Sequence, residues 1–176
     1  MLTHRLVVAR HKEDLGWTQK VDRKKWHLSV VTKGQQVPNE GREASSFLWA
    51  MEQFYEDDGW ICFVQGDPFD HYPALLKVLN EGIMPLQFTP LGKEFLASDE
   101  NGGPHDADLP VKEWFEEYCG KWPGPIRFAP GGQFVTPAAW IRSRTKDELR
   151  ELRERVNASP IGAWTLERLW LPLFVW

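Results

Sequence analysis

Residues 60–71 read WICFVQGDPFDH, an apolar run that leads directly into two carboxylates and a histidine. A continuous apolar run of this length is typical of a strand that is buried on both faces, as in a parallel sheet covered by helices. Asp67, Asp70 and His71 would then follow the carboxyl end of that strand, which is the edge where open α/β sheets bind ligands. These residues therefore predict both an α/β fold and the position of a site.

Two earlier apolar runs, residues 6–9 and 26–31, are each followed by polar residues, as expected for further strands of the same sheet. Residues 133–135 predict another short strand. We expect a single α/β domain over residues 1–176, in which helices flank a mixed, mostly parallel sheet of the Rossmann-like kind.

Polar residues mark the predicted ends of the helices. Apolar residues three and four positions apart follow Asn39, which we interpret as the N-cap of an amphipathic helix. Thr145 and Glu148 have the spacing of a capping box for a later helix, and the aromatic-rich residues 162–171 predict the last one. Residues 97–108 are polar and glycine-rich, which is typical of an exposed, mobile loop.

Composition narrows the classes of function. The chain has 21 Lys and Arg against 25 Asp and Glu, so it has no general basic field for binding nucleic acid. Its two cysteines, Cys62 and Cys119, form neither a disulfide framework nor a zinc-binding spacing. No apolar run has the length of a membrane span, and residues 1–9 lack the pattern of a signal peptide. We therefore expect a cytoplasmic protein without a membrane span.

The carboxylates after the third strand have two interpretations. Asp67 and Asp70 offer the oxygen ligands that a divalent cation and a bound diphosphate need, with His71 as a further ligand or phosphate contact. Alternatively, Asp67 forms a turn and Asp70 caps the next helix, and neither binds a metal. The spacing alone leaves both interpretations open.

Three charged residues border the same predicted crevice. Arg42 stands in the first turn of a helix, where a cation is favourable only if an anion also docks there. Arg10 and Glu13 follow the first strand and so lie at the edge where ligands bind. The simpler alternative is that all three are solvated, or that Arg42 pairs with a neighbouring glutamate.

Glu167 lies among tryptophans in WTLERLW, residues 164–170. A carboxyl group buried among such rings is a candidate general base, because burial raises its pKa. The alternative places Glu167 and Arg168 on the wet side of an amphipathic helix. We expect the polar residues of the preceding loop to be exposed to solvent, namely His105, Asp106 and Asp108.

Five segments together resemble a family of small domains of unknown function that is itself similar to GT-A type glycosyltransferases and occurs near surface-sugar genes. They are residues 10–13, PNEGREA at 38–44, FVQGDPFDH at 63–71, GGQFVT at 131–136 and ERLW at 167–170. The resemblance covers nearly the whole chain, and it implies a single GT-A-like domain that binds a nucleotide-sugar.

The resemblance also implies roles for individual residues. Asp67, Asp70 and His71 would hold Mn²⁺ or Mg²⁺, although two residues separate the aspartates here where the family of enzymes has one. Glu167 would deprotonate the acceptor hydroxyl, and Asp70 would assist in catalysis. The donor would bind to Arg10, Glu13, Asn39, Arg42, Asp67, Gly131, Gly132 and Gln133.

We therefore expect a glycosyltransferase that uses a nucleotide-sugar, most simply a UDP-sugar, and transfers the sugar to a hydroxyl acceptor. The acidic chain favours a saccharide or small-molecule acceptor, while DNA with hydroxymethylated bases remains open. Two alternatives use the same residues: a metal-dependent phosphoester or diphosphate hydrolase, and a non-catalytic nucleotide-sugar-binding module.

Overall fold

Strands and helices alternate along most of the chain, over the residues that the computed structural model describes, 4–81 and 86–175. The strands are β1 (His4–Arg10), β2 (Trp26–Thr32), β3 (Trp60–Gln65), β4 (Thr89–Pro90), β5 (Leu96–Ser98), β6 (Ile126–Phe128) and β7 (Phe134–Pro137). The helices are α1 (Arg42–Gln53), α2 (Leu75–Glu81), α3 (Val111–Tyr118), α4 (Ala138–Ile141), α5 (Lys146–Ala158) and α6 (Gly162–Val175), with a 3₁₀ helix at Gly16–Lys20.

The main sheet has five strands in the order β2–β1–β3–β7–β4. β1 pairs in parallel with β2 and β3, so that Leu6 lies between Leu28 and Cys62. β7 is antiparallel to both β3 and β4, and Phe63 pairs with Phe134. Four of the five strands run in one direction, and the antiparallel β7 begins near the end of β3. The predicted α/β domain with a mixed sheet between helices is therefore confirmed.

Alternating side chains of the strands fill two separate cores, because successive residues of a strand point to opposite faces. Val7, Phe63 and Phe134 belong to the core that α1, α5 and α6 cover. Leu6, Cys62 and their neighbours on the other face pack with residues of α2. Burial on both faces explains why the strand sequences are continuously apolar.

Two predicted helix starts are wrong. The first helix begins at Arg42, and its N-cap is Gly41, without a side-chain cap from Asn39. A Cβ atom on Gly41, which has φ +65°, would collide with Asn157 at the end of α5, so close helix packing sets this terminus. α2 begins only at Leu75, so Asp70 is not its N-cap.

The segment predicted as an exposed loop, residues 97–108, is partly ordered by its own hydrogen bonds. It begins in β5, which pairs with β6 in a two-stranded sheet that the sequence pattern does not predict. The Asp99 carboxylate then accepts hydrogen bonds from the amides of Asn101 and Gly103, both at 2.9 Å. Across the described ranges, none of the helices has the length and apolar character needed to cross a membrane.

The predicted capping box is confirmed at the start of α5. The Thr145 hydroxyl accepts a hydrogen bond from the Glu148 amide at 3.2 Å, and the Glu148 carboxylate accepts one from the Thr145 amide at 2.6 Å. We expect Thr145→Ala to lower the free energy of unfolding by about 1 kcal/mol in urea denaturation. Ser143→Ala, just before the helix, is the matched control, and an equal loss in both variants would contradict the assignment.

Candidate functional site

Two adjoining clefts open at the edge of the sheet where β1 and β3 end. The strand-end cleft, of about 420 Å³, is lined by residues that follow β1, β2 and β3 and by the start of α1, including His11, Glu13, Lys33, Asn39, Arg42 and Gly66. The α6 cleft, of about 250 Å³, is lined by residues that include His71, His105, Asp106, Gly131, Trp164 and Glu167. Arg42, Glu43 and Gln65 line both clefts, so the two spaces are neighbours.

Glu13 shapes the wall of the strand-end cleft. Its carboxylate accepts hydrogen bonds from the amides of His11 at 2.6 Å and Lys12 at 3.1 Å. Burial raises the pKa of Glu13, but these hydrogen bonds outweigh it, so that the pKa lies below its usual value. A Cβ on Gly66 would lie only 2.7 Å from the Glu13 carboxylate, so the glycine permits this close packing. Arg10 donates to the carbonyl of Glu13 at 3.1 Å and so supports the same loop.

Lys33 and Arg42 supply positive charge to the strand-end cleft. Burial lowers the pKa of the Lys33 ammonium, an effect that the nearby Glu43 carboxylate opposes. Arg42 has a φ of +47°, a conformation that costs free energy in a residue other than glycine and is frequent at functional sites. Its guanidinium lies 5.0 Å above the Trp164 ring and 3.7 Å from the Glu43 carboxylate.

Two glutamines join the end of β3 to the loop before β7. The Gln65 amide donates to the Gln133 side chain at 3.0 Å, and the Gln65 side chain donates to the Gly131 carbonyl at 2.8 Å. Gln133 also donates to the Pro68 carbonyl at 3.2 Å, and its side chain is buried. Gln133, predicted to bind the donor, therefore helps to hold the loop of Gly131 and Gly132, which borders the α6 cleft.

Glu167 is held at the floor of the α6 cleft by two hydrogen bonds. Its carboxylate accepts one from the Gly131 amide at 2.7 Å and one from the Arg168 guanidinium at 2.8 Å. Burial raises the pKa of Glu167 to about 7, although Arg168 and the Gly131 amide act in the opposite direction. The alternative that put Glu167 on the wet side of α6 is wrong, because only 13% of its side chain is exposed.

Gly131 is required for this arrangement. It has a φ of +93°, and a Cβ there would lie 2.5 Å from the His71 ring. His71 therefore packs directly on the peptide that binds Glu167. Gly132 likewise has a positive φ, of +62°, and lies under the Trp170 indole. Both glycines thus allow close approach of side chains to the loop.

Sequence reasoning missed the importance of Arg168, whose side chain is 1% exposed. Its guanidinium pairs with Glu167 and Asp106 and lies 4.2 Å above the Phe128 ring. Asp106 is 43% exposed, in line with the prediction, but it also pairs with this buried cation, which the prediction did not include. The adjacent opposite charges of Glu167 and Arg168, in an otherwise apolar helix, could have indicated such a pairing, because charged groups are rarely buried without partners.

Of the three predicted metal ligands, one lines a cleft and two do not. His71 lines the α6 cleft, whereas Asp67 and Asp70 are exposed and are not among the residues that line either cleft. Within residues 4–81 and 86–175, no three His, Cys, Asp or Glu side chains are grouped as metal ligands. The bound cation stays a prediction.

Comparison of the chain with protein-family models, with curated proteins and with solved structures found no match. Its function must therefore be inferred from the geometry of the two clefts and from the chemistry of the residues that line them.

The burial of Glu167 predicts a pH-dependent stability. Because its pKa is raised from 4.5 to about 7, the folded state holds a proton that the unfolded state releases, so stability is lost as pH rises through this interval. Full loss corresponds to about 3 kcal/mol. Urea denaturation from pH 4 to 8 should show this loss in the parent protein, and Glu167→Gln should abolish it.

Glu151→Gln, on the exposed side of α5, is the control and should keep the pH dependence of the parent protein. If Glu167→Gln and Glu151→Gln have the same pH dependence, Glu167 does not titrate with a raised pKa.

Proposed function

We propose that the protein is a glycosyltransferase that transfers a sugar from a nucleotide-sugar to a hydroxyl acceptor. The observation that carries the proposal is the buried Glu167 carboxyl group, whose pKa of about 7 suits a general base, at the floor of a cleft that adjoins one lined by Lys33 and Arg42. A UDP-sugar is the donor that we expect.

The strand-end cleft is the proposed donor site. Its position at the carboxyl ends of β1, β2 and β3 is the usual ligand-binding edge of an open α/β sheet. Lys33 and Arg42 offer positive charge, and the amino end of α1 adds free backbone amides, all of which favour a diphosphate. The same groups would stabilise the negative charge that develops on the departing nucleoside diphosphate.

The α6 cleft is the proposed acceptor site. Its volume, about 250 Å³, suits one sugar ring or a molecule of similar size. Trp164, which is 37% exposed, offers an aromatic face to such a ring. Each oxygen of the Glu167 carboxylate already accepts one hydrogen bond and retains a second lone pair for the acceptor hydroxyl.

In the proposed transfer step, an acceptor bound in the α6 cleft reacts with a donor bound in the strand-end cleft. The acceptor oxygen forms a bond to the anomeric carbon of the donor as the bond from that carbon to the diphosphate breaks. The electron pair of the broken bond leaves with the nucleoside diphosphate, and the acceptor proton passes to Glu167. The proposed step assigns no role to Arg10, Asp67 or Asp70, which are not among the residues that line the two clefts, and their predicted roles stay predictions.

Transfer can be tested by incubating the protein with UDP-sugars and a panel of saccharide and small hydroxyl acceptors, with and without Mn²⁺. We expect release of UDP that depends on the acceptor, with a rate that rises with pH and levels off above about 7 as Glu167 ionises. Glu167→Gln should lower kcat by about 10²- to 10⁴-fold with little change in the KM of the donor.

Glu151→Gln is again the control and should leave kcat unchanged. Release of phosphate from simple phosphomonoesters, with no preference for a nucleotide, would instead indicate a hydrolase. Binding of UDP-sugars without turnover would indicate a binding module. Either result contradicts the proposed transfer.

Lys33 provides a separate test of the donor site. Lys33→Gln removes a partly buried positive charge next to the proposed diphosphate, and we expect a roughly tenfold or larger rise in the donor KM or in the Kd for UDP. Lys77→Gln, which removes an equal charge from the exposed face of α2, should change neither value. Equal effects of the two variants would place the diphosphate elsewhere.

A further inference from the structure

Arg168 pairs with two carboxylates although its side chain is almost completely buried. One terminal nitrogen donates to Glu167 at 2.8 Å and to the Trp164 carbonyl at 3.0 Å, and the other donates to Asp106. The guanidinium also lies 4.2 Å above the Phe128 ring. These contacts fix its position from several sides, while its Nε remains buried without a hydrogen-bond partner.

Asp106 reaches this cation from a different part of the chain. It lies between β5 and α3, in a turn that the Asp99 carboxylate organises, and it is 62 residues from Arg168 in sequence. Its side chain is 43% exposed, so it stays in contact with solvent while Arg168 and Glu167 are buried. The three side chains therefore form a chain of charges that runs from the surface to the floor of the α6 cleft.

The charged neighbours of Glu167 have opposite effects on its ionisation. Arg168 favours the ionised form of Glu167, whereas the Glu43 and Asp106 carboxylates disfavour it, and Asp106 also offsets the positive charge of Arg168. The ionisable residues that line the α6 cleft around Glu167 also include Arg42 and Glu43 of α1, His71 before α2, and His105 beside Asp106.

The geometry points to Asp106 and Arg168 as positioning residues that orient Glu167 towards the α6 cleft and adjust how readily it takes up a proton. This inference depends on the proposed function for its catalytic consequence. A cation bonded to Glu167 alone would fix the carboxylate but make it a poor base. The second carboxylate lets Arg168 hold Glu167 in place while leaving it basic.

The two partners predict opposite effects. Asp106→Asn leaves Arg168 with a single carboxylate, so the pKa of Glu167 should fall. Arg168→Gln removes the cation, so the pKa of Glu167 should rise. In the transfer assay, the rise of kcat with pH should move to lower pH in Asp106→Asn and to higher pH in Arg168→Gln, with the donor KM unchanged.

The direct measurement is a ¹³C NMR titration of protein labelled at its glutamate carboxyl groups, in which the Glu167 signal is identified by its loss in Glu167→Gln. Asp108→Asn is the matched control, because it makes the same change of charge in the same segment at an exposed residue outside the α6 cleft. The inference predicts a lower pKa of Glu167 in Asp106→Asn and the parent value in Asp108→Asn.

An unchanged pKa in Asp106→Asn, or equal changes in the two variants, would overturn the inference. Because the titration does not depend on turnover, it separates the two proposals. A shifted pKa in a protein that transfers no sugar supports the positioning role and contradicts the function. An unchanged pKa in an active enzyme contradicts the positioning role alone. If Arg168→Gln does not fold, Asp106→Asn still decides the matter.

Discussion

The hydrogen bond from the Gly131 amide to the Glu167 carboxylate connects the two halves of the candidate site. It joins α6 to the loop before β7, and the glutamine pair Gln65 and Gln133 joins that loop to the end of β3. A carboxyl group from the last helix is thereby held at the edge of the sheet where the parallel strands end. Together with the packing of α6 in the core, this contact fixes Glu167 next to the strand-end cleft.

Several features at this edge are unfavourable for stability taken alone. A carboxyl group is buried, a guanidinium is almost fully buried, and Arg42 has a left-handed backbone conformation. Each is stabilised by specific neighbours, and their concentration around two adjoining clefts is the pattern expected of a functional site rather than of a core. Burial raises the pKa of Glu167, and the Arg168 guanidinium and the Gly131 amide only partly offset this effect.

Much of the fold could be predicted from the sequence because its signals are local. Continuous apolar runs identified β1, β2 and β3, and the capping box identified the start of α5. The start of α1 was mispredicted because close packing of Gly41 on α5 sets it, and packing between distant segments leaves no local pattern. The pairing of Arg168 with Asp106 was missed for the same reason. The burial of Glu167 was one of two interpretations that the sequence allowed, since its aromatic neighbours are adjacent in sequence, and the structure confirms it.

The claim that the carboxyl edge of the sheet binds a nucleotide is tested most directly by a ¹⁵N–¹H NMR titration of the protein with UDP. Binding at this edge should give saturable shifts in the amides of Lys33, Gly41 and Gly66, which lie around the strand-end cleft. Amides on the exposed face of α5, such as that of Glu151, should remain unchanged. Shifts confined to residues remote from the strand ends, or no shift at millimolar UDP, would show that the nucleotide does not bind there.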